Sequence, residues 1–301
     1  MTTPSHVQRL AQIAQIASVQ HGVIARHQLH SLDWSSSGIQ SLVERGYLHA
    51  LHPGTWAVGH PGISYEGRVM AAVLASGPGA AASARCAAHL MRIDPLGSQT
   101  VEVVTPHRHR PLDGVVGHSS RFLPRSNLTT FNRIPITTST RTFVDLADVV
   151  DPLRLVRCMH EARFRGLFDL RAVRRAERRH QHRSGHPVLV RALELHLKGS
   201  QGSASNAELR FVRRLVARGI PEPLVGIKVN GSNDRYSLDC WWPDLQLNAE
   251  LDDHTHDRPA NRKRDKERDA DLRAVGIEII RVHEDWIDPG IERVAARFGL
   301  A

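Results

Sequence analysis

The stretch that decides the fold reads Tyr236-Ser-Leu-Asp239-Cys-Trp-Trp-Pro-Asp-Leu-Gln-Leu-Asn-Ala-Glu250-Leu-Asp252-Asp253-His254. Two short apolar alternations, each carrying a carboxylate, flank a Pro243-Asp244 turn. That pattern predicts a β-hairpin, with strands around 235–242 and 245–251. Asp239 falls inside the first strand and Glu250 at the end of the second, so antiparallel pairing brings them to one end of the sheet. Crowded carboxylates are costly unless a cation neutralises them. Acidic oxygens beside a strand end suit Mg²⁺ or Mn²⁺. The first reading of Asp239 and Glu250 is therefore a divalent-metal site, where a metal-activated water would cleave phosphodiesters. The other reading is a pair of strand-end carboxylates on a solvated face, which the depletion of acids in strands makes less common.

The segments around the hairpin extend the signal. Upstream lies Ala207-Glu208-Leu-Arg-Phe-Val-Arg-Arg-Leu, a helical stretch. Downstream come Thr255-His256, a charged helix with Asp265, Arg268 and Leu272, then Gly276 and the apolar strand Ile277-Glu-Ile-Ile-Arg281-Val. Together, over roughly residues 203–290, these resemble the DUF559 domain, a branch of the PD-(D/E)XK nuclease superfamily close to the very-short-patch mismatch endonucleases. The resemblance implies a nuclease fold with catalytic candidates Asp239, Glu250, Asp252, Glu208 and His256 or His254. It also makes Arg268 and Arg281 candidates for holding phosphate, with Arg268 alternatively pairing Asp265 or Asp239. Glu208 either joins the acidic centre or sits in the first turn of its helix, where the dipole favours it. Asp265 and Asp269, four apart among basic neighbours, read as a salt-bridge lattice. The chain departs from the pattern at Asp253, where the family has Gly, and at Asp252, where the wider superfamily has Lys. With Asp at that position, hydrolysis needs another base or an extra metal.

The N-terminal part has a different character. Apolar residues recur at helical spacing over 6–20 and stop at His21-Gly22. Arg26-His-Gln-Leu29 reads as a second helix. Ser35-Ser36-Ser37 caps a third, with Ile39, Leu42 and Val43 as its apolar stripe. Tyr47–Leu51, a His52-Pro53-Gly54 turn and Thr55–Val58 then form a hairpin. Three helices followed by a two-stranded wing is the order of a winged helix-turn-helix, whose third helix enters the major groove. Candidate DNA-facing residues are Ser35, Ser36, Ser37, Gln40, Ser41 and Arg45, with His52 and Thr55 in the wing. Through Gly22-Val-Ile-Ala-Arg-His-Gln-Leu29, Leu42-Val-Glu-Arg-Gly-Tyr-Leu48 and Pro53-Gly-Thr-Trp-Ala-Val58, this segment resembles the N-terminal domain of AbiEi-type antitoxins of type IV toxin–antitoxin systems. The stretch Ile134-Pro-Ile-Thr-Thr-Ser-Thr-Arg-Thr-Phe-Val-Asp-Leu-Ala147, a strand running into a capped helix, resembles the later part of the same proteins. Asp145 within it reads as a capping or ion-pair residue.

Composition sets the frame for both resemblances. The net charge is +9, which favours a polyanionic partner, nucleic acid first. Residues 154–198 hold twelve Arg or Lys against four acids, read either as a solvated helix face or as a phosphate-contacting surface. The cysteines Cys86, Cys158 and Cys240 are scattered and odd in number, which suits reduced thiols and a cytoplasmic setting. No apolar run of 18 residues and no secretory leader are evident, so neither a membrane span nor export is expected. Paired Cys/His zinc spacing, a phosphate-binding G-x-x-x-x-G-K-[ST] loop and a G-x-S-x-G elbow are all absent.

The expected architecture is an α/β multi-domain chain in three parts. A winged helix-turn-helix occupies 1–62, an AbiEi-like α/β and helical middle domain 63–199, and a restriction-endonuclease-like mixed sheet flanked by helices 203–301. The expected function is double-stranded DNA binding coupled to a Mg²⁺- or Mn²⁺-dependent endonuclease-like domain, with Asp239 and Glu250 as metal ligands. The alternative is a non-catalytic transcription regulator or antitoxin with a degenerate nuclease fold. Its partner would be a cognate nucleotidyltransferase toxin. A homodimer is in keeping with winged-helix regulators, and basic charge leaves RNA open as the nucleic acid.

Overall fold

Ser5 opens the first helix in the computed structural model, which describes residues 5–202, 206–252, 259–283 and 286–300, with side chains at 206, 252 and 259–264 left aside. The Ser5 hydroxyl accepts from the Gln8 amide at 3.2 Å, and the Gln8 side chain accepts from the Ser5 amide at 2.7 Å. This reciprocal cap satisfies two amides that a helix start leaves open. Helix α1 (His6–Val19) ends at Gly22, whose φ of 84° is the left-handed conformation that glycine adopts without steric cost. β1 (Val23–Ala25), α2 (Arg26–Ser31), α3 (Ser36–Glu44), β2 (Leu48–His52) and β3 (Thr55–Val58) follow. The three strands pair antiparallel in the order β1-β3-β2. Ile13, Ile24, Leu29, Trp34, Ile39, Leu42, Leu48 and Trp56 form one buried cluster between these helices and this sheet.

A second sheet is built from α4 (Tyr65–Ala75), β4 (Ala81–Ala82), α5 (Ala84–Leu90), β5 (Val101–Thr105), β6 (Val115–Ser119), β7 (Leu128–Phe131), β8 (Ile134–Thr137) and α6 (Ser139–Leu146). Its strand order is β6-β5-β4-β8-β7, with β5/β6 and β4/β8 parallel and the other pairs antiparallel. Charged residues inside this part are matched. Arg141, 2% exposed, donates from Nε to both Asp145 oxygens at 3.0 and 3.1 Å, so Asp145 is an ion-pair residue. Glu102 on β5 is fully buried, accepts from Arg85 Nε at 2.5 Å and has His118 Nε2 3.8 Å from its other oxygen.

The remaining elements are α7 (Pro152–Phe164), α8 (Leu170–Arg179), α9 (His186–Leu197), α10 (Asn206–Ala217), β9 (Leu224–Asn230), β10 (Arg235–Trp242), β11 (Leu247–Asp252), α11 (Pro259–Ala274), β12 (Glu278–His283) and α12 (Ile287–Arg297). The sheet order is β12-β11-β10-β9; β11/β12 is parallel and the other two pairs are antiparallel. The parallel pair is possible because α11 carries the chain back between β11 and β12. Leu238, Trp241, Leu272 and Ile277 pack as a core cluster of this part.

The described residues thus form an α/β protein with three sheets, divided into two compact units. One comprises the described residues of Met1–Ile93, Gly97–Leu146 and Asp169–Ala176, the other those of Asp94–Leu96, Ala147–Phe168 and Glu177–Ala301. No described helix is long and apolar enough to cross a membrane. Cys86 on α5, Cys158 on α7 and Cys240 on β10 are all buried free thiols. Burial pushes the Cys86 thiol up, and it pushes Cys158 and Cys240 well above the ordinary range.

Candidate functional site

The hairpin read from the sequence is present and sets the geometry of the acidic residues. β10 and β11 pair through Trp242↔Leu247, Trp241↔Asn248 and Cys240↔Ala249. Between them Pro243–Leu245 makes a short 3-10 turn, closed by Gln246 at a φ of 48°. Asp239 and Glu250 follow immediately on the two strands beyond Cys240↔Ala249, at the end of the ladder away from the turn. The Leu251 amide donates to the Asp239 carboxyl, and Glu250 and Glu208 both bear on it electrostatically. Glu208 lies in the first turn of α10.

Glu250 is 4% exposed, and its charge is answered by arginine. Arg268 on α11 forks onto it: Nη1 donates to Oε2 at 2.7 Å while Nη2 donates to Oε1. Arg268 Nη2 also donates to the Ser237 carbonyl at 2.8 Å, and the guanidinium stands 5.9 Å from the centre of the Tyr236 ring. Asn248 Nδ2 adds a third donor to Glu250 Oε1 at 2.8 Å. Arg281 is in register with Glu250 across the parallel β11/β12 pair, and its Nη2 is 3.6 Å from Oε2. The same Arg281 donates to both oxygens of Asp269, at 2.8 and 3.3 Å. Bidentate guanidinium–carboxylate pairs of this kind are strong and geometrically specific.

The network Glu250, Arg268, Arg281 and Asp269 carries two negative and two positive charges, so it is internally neutral. Asp239 has no such cation of its own among these pairs. Burial first, then Glu250 and Glu208, push its carboxyl from 3.8 up to about 7, while the Leu251 amide and Arg268 act the other way. It is therefore about half protonated at neutral pH.

Both Glu250 oxygens are held by Arg268, and no group of three or more His, Cys, Asp or Glu among the described residues is arranged to hold a metal. Mg²⁺ needs near-octahedral oxygen coordination. The Asp252 side chain, His254 and His256 lie outside the described residues. Arg268 and Arg281, the expected phosphate-holding residues, both donate to carboxylates in this structure. Sequence reasoning missed Asn248, although its place two residues before Glu250 puts it on the same strand face.

The nucleic-acid candidates are placed by α3. Ser35 is its N-cap, with Oγ accepting from the Gly38 amide at 3.1 Å and lying 3.0 Å from Ser37 Oγ. Ser35, Ser36, Ser37, Gln40 and Arg45 are exposed, and Ser41 is half-buried. Gln40 Nε2 donates to Glu44 at 3.1 Å. Thr55, expected to face DNA from the wing, is fully buried in β3, and its hydroxyl donates to the His52 carbonyl at 3.4 Å. His52 is half-buried, and burial lowers its imidazole pKa against the opposing pull of Asp113.

No family model matches the chain. It is similar to two proteins of Mycobacterium tuberculosis: uncharacterized protein MT2308 of strain CDC 1551 / Oshkosh and uncharacterized protein Rv2248 of strain ATCC 25618 / H37Rv. Each is 33% identical over 114 residues, which is 36% of this chain and 41% of the relative. The chain thus spans less than half the length of the curated relatives it matches.

Proposed function

We propose that this chain is a double-stranded DNA-binding regulator. Helices α1–α3 with the β1-β3-β2 sheet act as a winged helix-turn-helix. The C-terminal sheet and its helices are a nuclease-like fold held together by arginine and used for binding rather than cleavage. The observation that carries this reading is the fork of Arg268 on Glu250, which supplies the cation that the acidic residue would otherwise draw from solution. The replacement of the superfamily Lys by Asp252 and of the family Gly by Asp253 agrees with it. The exposed row Ser36, Ser37 and Gln40 on α3, with Arg45 at its end, offers hydroxyl, amide and guanidinium groups to bases and phosphates. An antitoxin role, with a nucleotidyltransferase toxin as partner and a cytoplasmic setting, follows from the AbiEi resemblance. A mobility-shift assay on the promoter upstream of its own gene, without divalent metal, tests the reading. Binding by the wild type that Gln40→Ala with Arg45→Ala removes is expected; equal binding by that variant ends the assignment to α3.

A second reading, a Mg²⁺- or Mn²⁺-dependent endonuclease, is favoured by Asp239, whose carboxyl sits near Glu250 and Glu208 with its charge resisted. It requires Arg268 to release Glu250. Plasmid nicking with Mn²⁺ that Glu250→Ala abolishes would establish it in place of the first; its absence at micromolar protein would remove it.

A further inference from the structure

We infer that the outer face of α8 docks the phosphate backbone of double-stranded DNA, independently of base sequence. The helix carries Arg171, Arg174, Arg175 and Arg178. These stand at i, i+3, i+4 and i+7, the spacing that places residues along one side of a helix. All four are exposed, and none of them makes an ion pair among the described residues. The side away from them is occupied by Val173, which is fully buried.

Several other arginines of this chain are matched with acids. Arg85 meets Glu102, Arg154 meets Asp94, Arg157 and Arg165 share Glu161, and Arg183 meets Asp148. On α8 the nearby acids are engaged with other groups. Asp169 caps the helix start by accepting from the Arg171 and Ala172 amides at 2.8 and 3.1 Å. Glu177 is 2.5 Å from His186 Nε2. The stripe therefore keeps like charges at i,i+3 and i,i+4, an arrangement that destabilises a helix on its own. A polyanion laid along it would reverse that repulsion.

The dimensions and chemistry favour duplex DNA as that polyanion. Seven residues of helix rise about 10 Å, the length over which one strand of a duplex presents about three phosphates. The cations are all Arg, whose fork matches phosphate oxygens. α8 exposes no large apolar side chain, so it lacks the anchor by which a basic helix inserts into a lipid surface. Choosing DNA rather than another polyanion rests on the regulator reading above.

The test uses the full chain and a fluorescent duplex of arbitrary sequence, with affinity measured from 50 to 200 mM salt, a range set by the strong salt dependence of phosphate contacts. The variants are Arg171→Gln, Arg174→Gln, Arg175→Gln and Arg178→Gln combined, and the same four positions changed to Lys. Gln keeps helix propensity close to that of Arg, and thermal melts should coincide with the wild type. The slope of log affinity against log salt should become shallower by about 3, about 0.9 for each of about three lost phosphate contacts, while the Lys variant keeps most of it. An unchanged slope and affinity in the Gln variant, with wild-type binding intact, overturns the α8 assignment and leaves the regulator reading standing. Binding that needs the α8 arginines but is indifferent to Gln40→Ala with Arg45→Ala supports α8 and removes the α3 reading. Failure of the wild type to bind duplex removes both. Phe164, 86% exposed just ahead of the helix in sequence, makes anionic vesicles the competing ligand to run in parallel. Capture by phosphatidylserine vesicles in place of DNA, or by single-stranded RNA in place of duplex, overturns the proposal.

Discussion

Arg268 closes a two-pronged ion pair on Glu250, eighteen positions upstream, with Nη1 2.7 Å from Oε2. The carboxylate is 5% exposed and the guanidinium 21% exposed, so the pair is largely withdrawn from solvent. Removing one partner leaves the other charge buried without an answer, which typically costs about 3–5 kcal/mol. Arg268→Ala is expected to lower stability by an amount of that order in urea melts. Arg268→Lys is expected to recover little, because a point charge cannot reproduce the fork. A melt of Arg268→Ala within 1 °C of wild type would show that Asn248 and Arg281 suffice.

Asp239 gives the opposite sign. Its folded pKa, about 7, lies above its ordinary value of 3.8. The folded state therefore binds the proton more tightly than the unfolded chain. The corresponding stability is fully present below pH 4 and is lost as pH rises through about 7. Asp239→Asn is expected to raise stability at pH 8 by about 1–4 kcal/mol and to change it little at pH 4. Equal midpoints for the two proteins in denaturant at pH 8 would contradict this. Carbonyl NMR on labelled aspartate gives the titration directly.

Glu102 should respond to acid. Burial alone would raise its pKa, but the nearby His118 ring and the hydrogen bond and charge of Arg85 outweigh it and hold the carboxyl below the usual range. A depressed folded pKa contributes stability above the ordinary glutamate pKa, and this is lost as pH falls through the folded value. Glu102→Gln is expected to cost about 1–3 kcal/mol at pH 7 and to reduce the fall in melting temperature between pH 7 and pH 3. A parallel fall in both proteins would assign the acid sensitivity elsewhere.

Gly185 is required for space. A Cβ there would lie 2.4 Å from the Ala147 carbonyl carbon and 2.5 Å from the Asp148 nitrogen. Its own amide donates to Asp148 Oδ1 at 2.7 Å, a bond that holds the backbones close. Its φ of −78° is open to any residue, so conformation is not the constraint. Gly185→Ala is expected to destabilise by about 1–3 kcal/mol through overpacking. An unchanged melt would mean that the 183–186 turn moves aside freely.

Legibility from sequence tracked how local each feature is. The β10–β11 hairpin follows from alternation around Pro243-Asp244, and the α3 start follows from Ser35, whose hydroxyl caps the helix as its chemistry requires. β9 was not legible, because Leu224-Val-Gly-Ile-Lys-Val-Asn230 is interrupted by Gly226 at a φ of 65°. Nor was β4, two alanines long. Asp239 and Glu250 were found because each lies on a strand of one hairpin. The sequence reading paired Arg268 with Asp265 or Asp239, whereas its partner is Glu250, since pairing depended on how α11 returns across the sheet. Thr55 was read as a DNA-facing residue of the wing, whereas β3, the central strand of its sheet, buries it. The α8 stripe was visible only as a local charge excess until the helix bounds gave it a face.

The three buried thiols carry a consequence for experiment. A cysteine enclosed at 2% exposure or less cannot meet an alkylating reagent unless its surroundings open. Cys86 belongs to one compact unit, and Cys158 and Cys240 belong to the other. Labelling kinetics with a maleimide, read by peptide mass at each site, would thus time the opening of each unit separately in an unmodified chain. Ligands that grip only one unit would slow its thiols alone, so nucleic acid or metal could be located by which cysteine falls silent.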